Sequence, residues 1–514
     1  MAEQPEQAEQ PEQAEQPEKA EKAAEKDQPD PPDKQHRPEP TDELVVTRHV
    51  VHAADGTELR YTATCGRMVL RREEHRDDTF DGHQPKAEVF LTAYTLDATE
   101  PRSRPVTFAF NGGPGSSSVW LHLGLLGPRR VLSGDVGALT PPPYDLVDNP
   151  HTLLAGSDLV FVDPVSTGYS RPTKGEKSKN FHGFTADLES VGEVIRLWIT
   201  RHGRWLSPKY LCGESYGTLR AAGLARRLQE EYGLNLNGLM LISTVLDMGL
   251  LRGNGHNDHP YVMFLPTYAA LAHYHGLHGD RPLRDLLDEA EAYAARDYPW
   301  ALSRGARLTA AERAEAVAKL ASLTSLSEDY LDRVNLRIDP GRFFAELLRG
   351  RRLTIGRLDG RFTGWADDYG REALDPWADP SMDAIRGPYT AAFNHYVRGE
   401  LGFASDLPYE ILSRATNSAW SYKEFEGETV TVADKLAVAM RANPYLRVYV
   451  GCGYQDGATP YFAAQHTAAH LAIPEELRGN VEFAYYPAGH MMYVHEPSRI
   501  EQSAHLARFV EPVG

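Results

Sequence analysis

Three residues far apart in the chain carry the groups that could cleave an acyl bond together. Ser215 sits in Gly213-Glu214-Ser215-Tyr216-Gly217, Asp456 in "VGCGYQDGATPY" and His490 in "YYPAGHMMYVHEP". A serine hydroxyl is a poor nucleophile until a base takes its proton, and an imidazole serves best when a carboxylate fixes its orientation. Acyl transfer also needs hydrogen-bond donors where negative charge develops on the carbonyl oxygen. "FNGGPGSSS" (Phe110 to Ser118) has the glycines that would let backbone N–H groups approach a substrate there. A five-residue G-x-S-x-G pattern alone is weak, since it also occurs in ordinary turns, so its placement decides.

A nucleophile elbow needs a buried strand before it and a helix after it, with small flanking residues that tolerate a strained turn. "KYLCG" (Lys209 to Gly213) leads in, and a helical run from Leu219 to Tyr232, stopped by Gly233, leads out. Similar short apolar runs, typical of strands buried on both faces, recur at "VTFAF", "DLVFVD", "LMLIS", "LRVYVG" and "VEFAYY". Helical patterns lie between them; Leu188, Val191, Ile195 and Trp198 share one face. The alternation predicts an α/β fold with a mainly parallel sheet. Asp456 and His490 then fall just beyond the carboxyl ends of two consecutive strands, where such sheets place their sites. From about Leu44 to Tyr94 the runs alternate, as in "VVTRHVVH" and "AEVFLTAYT", which predicts antiparallel strands at one edge. Residues 250–414 lose strand signals and read as a helical cap insertion, with a capping box at Thr309 to Glu312. The expected division is a tail over 1–43, core over 44–249, cap over 250–414 and core again over 415–514.

Composition narrows the rest. The 514 residues are 41% hydrophobic, and no apolar run reaches the roughly 18 residues of a membrane span, so no membrane partner is expected. "AEQPEQ" repeats at Ala2 and Ala8 and again, ending in Lys19, from Ala14. With no aromatic or β-branched residue before Thr41, this segment is expected to be a disordered acidic tail. It holds part of the net charge of −18; no basic patch marks the remainder, which argues against nucleic acid as a partner. The Glu-, Gln- and Pro-rich start does not resemble a secretory signal, and the three cysteines, Cys65, Cys212 and Cys452, suit a reducing compartment. The expected location is the cytoplasm. "HNDH" (His256 to His259), "HYHGLH" (His273 to His278) and "HTAAH" (His466 to His470) lack framing acidic or cysteine ligands, and the last lacks a zincin's glutamate. No metal and no cofactor are expected.

Taken together, Asn111 to Ser118, the elbow, "VFVDPVSTGYS" (Val160 to Ser170), Asp456 and "AGHMMYVHEP" (Ala488 to Pro497) resemble the serine carboxypeptidase-like family of α/β-hydrolases, over roughly Thr47 to Val510. The resemblance implies Ser215 as nucleophile, His490 as base and then acid, and Asp456 as its orienter. It also implies an oxyanion hole from the N–H groups of Gly113 and Tyr216, and peptide substrates whose terminal carboxylate is bound by Asn111 and Glu214. Two departures stand out: Ser116 replaces a disulfide-bonded cysteine, and Leu125 replaces an acidic residue ahead of Leu126-Gly127-Pro128. Arg129 or Arg130, next in the chain, could take over carboxylate recognition, since a guanidinium binds a carboxylate bidentately. The leading expectation is a serine carboxypeptidase working through an acyl-enzyme. The alternatives are an esterase or acyltransferase with the same triad, or a non-catalytic binding protein on a hydrolase fold.

Overall fold

The computed structural model describes residues 39–511 except 98, 99, 101, 367, 369 and 376. The tail expected over 1–43 lies almost wholly outside the described residues. Its last residues are tied to the sheet: Val69 N–H donates to Asp42 Oδ1 (2.9 Å), and the first strand already starts at Glu43.

The nine main strands are β1 (Glu43–His52), β2 (Glu58–Arg76), β3 (Thr79–Leu96), β4 (Val106–Phe110), β5 (Asp158–Val162), β6 (Lys209–Glu214), β7 (Gly238–Ile242), β8 (Arg447–Gly453) and β9 (Val481–Tyr486). They lie side by side in the order β1-β2-β3-β5-β4-β6-β7-β8-β9. The first three form an antiparallel meander joined antiparallel to β5, and β5 to β9 run parallel. The six apolar runs are therefore the six parallel strands. β2 and β3 are much longer than their apolar runs, at 19 and 18 residues. Pairing continues through the charged stretch to a turn at Asp77 and Asp78, both at positive φ, where exposed polar side chains leave no buried face for hydrophobic alternation to report.

Alternating side chains of the parallel strands feed two cores, one per sheet face. Phe108, Val160, Leu211, Leu239 and Val448 pack with α1 (Phe184–Arg201), α2 (Tyr216–Tyr232) and helix Ala433–Ala442. Ala109, Phe161, Cys212, Met240 and Tyr449 pack on the other side with the C-terminal helix Glu496–Val510. Helices cover both faces of a mostly parallel sheet, the α/β-hydrolase arrangement. Gly233 closes α2 in the left-handed conformation (φ 61°) that favours glycine.

Between β7 and β8 the chain runs through α3 (His259–Tyr274), α4 (Leu283–Arg304) and α5 (Ala310–Thr324), which share a separate apolar core. The capping box at Thr309 and Glu312 is formed. Within 250–414, where helical signals dominate, a short antiparallel pair, Leu353–Ile355 with Thr363–Trp365, also forms. Three-residue strands are too short to show a period of two. Helix α6 (Pro380–Gly399) packs Ile385, Tyr389, Phe393 and Tyr396 onto the sheet rather than into the separate core.

Candidate active site

Ser215 occupies the sharp junction between β6 and α2, with φ 61° and ψ −129°. A non-glycine residue there stores strain of about 1–3 kcal/mol, held by its surroundings. Ser215 N–H donates to Ile242 O (3.0 Å), and Thr218 N–H and Oγ1 donate to Ser215 O (2.8 and 2.7 Å). The flanking glycines are steric necessities: a Cβ on Gly213 would lie 2.1 Å from Gly217 O.

The loop after β4 is pressed against this elbow. A Cβ on Gly112 would lie 2.4 Å from Tyr216 N, so only a glycine lets the two backbones meet where Gly113 (φ 101°) and Tyr216 are expected to offer N–H groups. Tyr216 is the first residue of α2, where backbone N–H groups lack intrahelical partners and the helix dipole favours negative charge. The loop is fastened from below by Asp163, whose Oδ1 accepts both Ser118 N–H and Ser118 Oγ–H (2.8 Å each). Burial raises the Asp163 carboxyl to about 6 against the lowering effect of those bonds. Ser116, in place of a cysteine, accepts from Trp120 Nε1 (2.9 Å), and all three cysteines are free and buried.

Asp456 and His490 meet beyond β8 and β9. Asp456 Oδ2 lies 2.8 Å from His490 Nδ1, with the two side chains 0% and 5% exposed. Asp456 also accepts from Ala458 N–H (2.8 Å), Thr459 N–H (2.9 Å) and Thr459 Oγ1 (2.6 Å). These bonds fix the carboxylate in place and aim it at the imidazole. Burial lowers the His490 pKa, but the charge and hydrogen bond of Asp456, with the charge of Glu214, outweigh it and raise the pKa overall. With Nδ1 engaged, Nε2 is the nitrogen left for proton transfer. No hydrogen bond among the described residues joins it to Ser215 Oγ; such bonds are often long without substrate. The histidine's main chain is clamped on two sides, its N–H by Leu358 O (2.7 Å) and its carbonyl by Ser243 Oγ.

Beside the elbow, Glu214 is fully buried; Asn111 Nδ2 donates to its Oε1 (2.8 Å) and Tyr493 Oη to its Oε2 (2.7 Å). Burial pushes its carboxyl up to about 7, against the lowering by His490, Tyr493 and Asn111. The sequence reading paired Asn111 with Glu214 but missed Tyr493, although it lies in a quoted motif three residues after His490. Its ring passes over Gly124, whose Cβ would lie 2.4 Å away; Leu125, beside it, is buried in apolar surroundings. A phenol thus donates to the carboxyl of Glu214. Also missed was the buried pair Arg220–Asp187 (2.7 Å), on α2 and α1, whose guanidinium donates to Asn111 O (2.6 Å) and lies 5.3 Å over the Tyr216 ring.

Neither Arg129 nor Arg130, either of which was expected to bind the substrate's carboxylate, pairs with Glu214 among the described residues. Arg129 pairs with Asp148 and with Glu400 (2.8 Å), and Arg130 with Glu496 (3.2 Å). They lie in a short strand, Arg129–Leu132, and internal carboxylates already consume their charge. The histidine-rich stretches also form no metal cluster: among the described residues no group of three or more His, Cys, Asp or Glu is disposed to hold an ion.

Comparison with known proteins gives a match to the family model "Serine carboxypeptidase" over residues 83–480. That span holds Ser215 and Asp456 and ends before His490. Serine carboxypeptidase-like 16 of Arabidopsis thaliana is 28% identical over 183 residues; the match spans 34% of this chain and 40% of that protein. Among solved structures, proline iminopeptidase from Mycobacterium smegmatis overlaps 86% of this chain and 97% of its own, with 16% identity and a TM-score of 0.35. A thermophilic esterase from Thermogutta terrifontis overlaps 91% of this chain and 100% of its own, with 13% identity and a TM-score of 0.32. Overlaps that loose speak to neither chemistry nor substrate.

Proposed function

The chain belongs to the serine carboxypeptidase family, and from that premise we propose that it is a serine-type carboxypeptidase releasing C-terminal residues from peptides. The observation that carries this reading is the buried 2.8 Å contact between Asp456 and His490, at the ends of β8 and β9, with β7 between them and the strained Ser215 elbow on β6. Ser215 Oγ attacks the scissile carbonyl carbon while His490 Nε2 takes its proton, and Asp456 stabilises the imidazolium that forms. The carbonyl oxygen, now negative, faces the N–H groups of Gly113 and Tyr216. His490 then protonates the leaving amine as the C–N bond breaks, and it next activates water to hydrolyse the acyl-Ser215 ester. Residues 250–414 act as the cap over this site. Asn111 and Glu214 contribute to binding the terminal carboxylate, as the family resemblance implies.

The finer points of setting follow the same reading. Free thiols at Cys65, Cys212 and Cys452 support a reducing compartment such as the cytoplasm, and no helix among the described residues is long and apolar enough to cross a membrane. Leu125, apolar where the family has an acid, favours one second reading: an esterase or acyltransferase whose acyl-enzyme passes to another acceptor. Timed digestion of an unblocked peptide and its C-terminally amidated twin separates the two. Stepwise loss from the free C-terminus alone supports the peptidase; turnover of esters with both peptides intact would replace it with the second reading.

A further inference from the structure

The described structure leaves one guanidinium unclaimed next to the acid–base pair. Arg357 lies on the loop that joins the paired strands Leu353–Ile355 and Thr363–Trp365. Its N–H and that of Leu358 donate to Asp379 Oδ1 (3.1 Å) and Oδ2 (3.0 Å). Leu358 O in turn accepts the His490 N–H (2.7 Å), and a Cβ on Gly457, next to Asp456, would lie 2.8 Å from Arg357 O. The loop backbone is thus fixed against both members of the pair. Among the described residues the Arg357 side chain makes no ion pair or hydrogen bond, and its Nε is buried without a partner. A buried donor left unmade is costly, and native structures keep few of them. Arg129 and Arg130 also keep a buried Nε without a partner, but their charge, unlike that of Arg357, is neutralised by Asp148, Glu400 and Glu496.

We propose that Arg357 anchors the α-carboxylate of the substrate's departing residue, a specificity role that rests on the carboxypeptidase reading. The geometry follows from the chemistry of the leaving group. His490 Nε2 must touch the amine nitrogen it protonates, and in a C-terminal residue the carboxylate carbon is only two bonds from that nitrogen. The anchor must therefore sit on the His490 side of the site, where the Arg357 loop is fastened. A guanidinium offers paired N–H donors that match the two oxygens of a carboxylate. The positive charge of Arg357 also opposes protonation of His490, which agrees with the two groups being neighbours. Asn111 and Glu214, already bonded to each other and to Leu121 N–H and Tyr493, are left to shape the pocket rather than to supply its charge.

The test compares wild type, Arg357→Met and Arg357→Lys on the unblocked peptide and its amidated twin. Ester hydrolysis is also inhibited with a free amino acid or its amide. Arg357→Met is expected to reduce the preference for free acid over amide, and to weaken inhibition by the free amino acid, each by about 30-fold, the scale of a lost charge-assisted bond. Arg357→Lys should restore part of both. Equal loss on acid and amide substrates would show a merely structural role and overturn the proposal. So would ester hydrolysis by wild type that is indifferent to the amino acid's carboxylate. A wild type that trims no peptide, yet is inhibited by the free amino acid and not by its amide, would refute the peptidase reading and leave Arg357 as a carboxylate anchor.

Discussion

At the scale of single residues, the pH behaviour should come from two titrating groups beside the nucleophile. His490 must be neutral to act as base. Its pKa is raised above the ordinary 6.5, because Asp456 and Glu214 together outweigh burial, so activity is lost as pH falls through that raised value. Glu214, pushed up to about 7 by burial, is neutral below that value and ionises above it, placing a like charge beside the substrate's carboxylate. The kcat/KM for an unblocked peptide should therefore be bell-shaped near neutrality, with apparent values that belong to the coupled pair. An ester without a carboxylate should show only the acidic limb, and Glu214→Gln should abolish the alkaline one. Tyr493→Phe removes a donor that favours the ionised form and should move the alkaline limb up by about 0.5–1 pH unit, the equivalent of ~1 kcal/mol. An alkaline limb unmoved by either substitution would detach Glu214 from substrate binding. Ser215, Asp456 and His490 were legible because each follows a strand-like run, and sheet geometry gathers strand ends. Tyr493 and Arg357 were not, because each is placed by a contact with a partner remote in sequence: Glu214 for the first, the His490 loop for the second.

At the scale of elements, the site depends on how α1 and α2 meet beneath the elbow. Arg220 and Asp187 are each almost wholly buried, and burial raises the Asp187 carboxyl despite its partner. Arg220→Met strands that carboxylate and removes the donor to Asn111 O, so denaturant unfolding should show a loss of about 3–5 kcal/mol. The double variant Asp187→Leu with Arg220→Met should recover most of it, since an apolar pair leaves no buried charge uncompensated. A single-variant loss below about 1 kcal/mol would mean that the pair does not hold the two helices. The six parallel strands were readable as continuous apolar runs, as was α2, with its glycine stop. The long arms of β2 and β3 and the pair Leu353–Ile355 with Thr363–Trp365 were not, because backbone pairing sustains them without a hydrophobic period.

At the scale of the whole molecule, Ser215 is separated from Asp456 and His490 by residues 250–414, and within that stretch the hairpin loop carrying Leu358 holds the His490 main chain. Ser215 and His490 lie 275 positions apart in sequence, so nucleophilicity at Ser215 should be a property of the folded chain. The most direct measurement is peptide-resolved mass spectrometry after exposure to a fluorophosphonate probe. Native protein should carry the probe on Ser215 alone, with labelling lost in denaturant and slowed at least about 10³-fold in His490→Gln, because a serine without its base is an ordinary alcohol. Absence of label on Ser215 in the native protein, or labelling of equal rate in His490→Gln, would contradict the claim that these three residues form one catalytic unit.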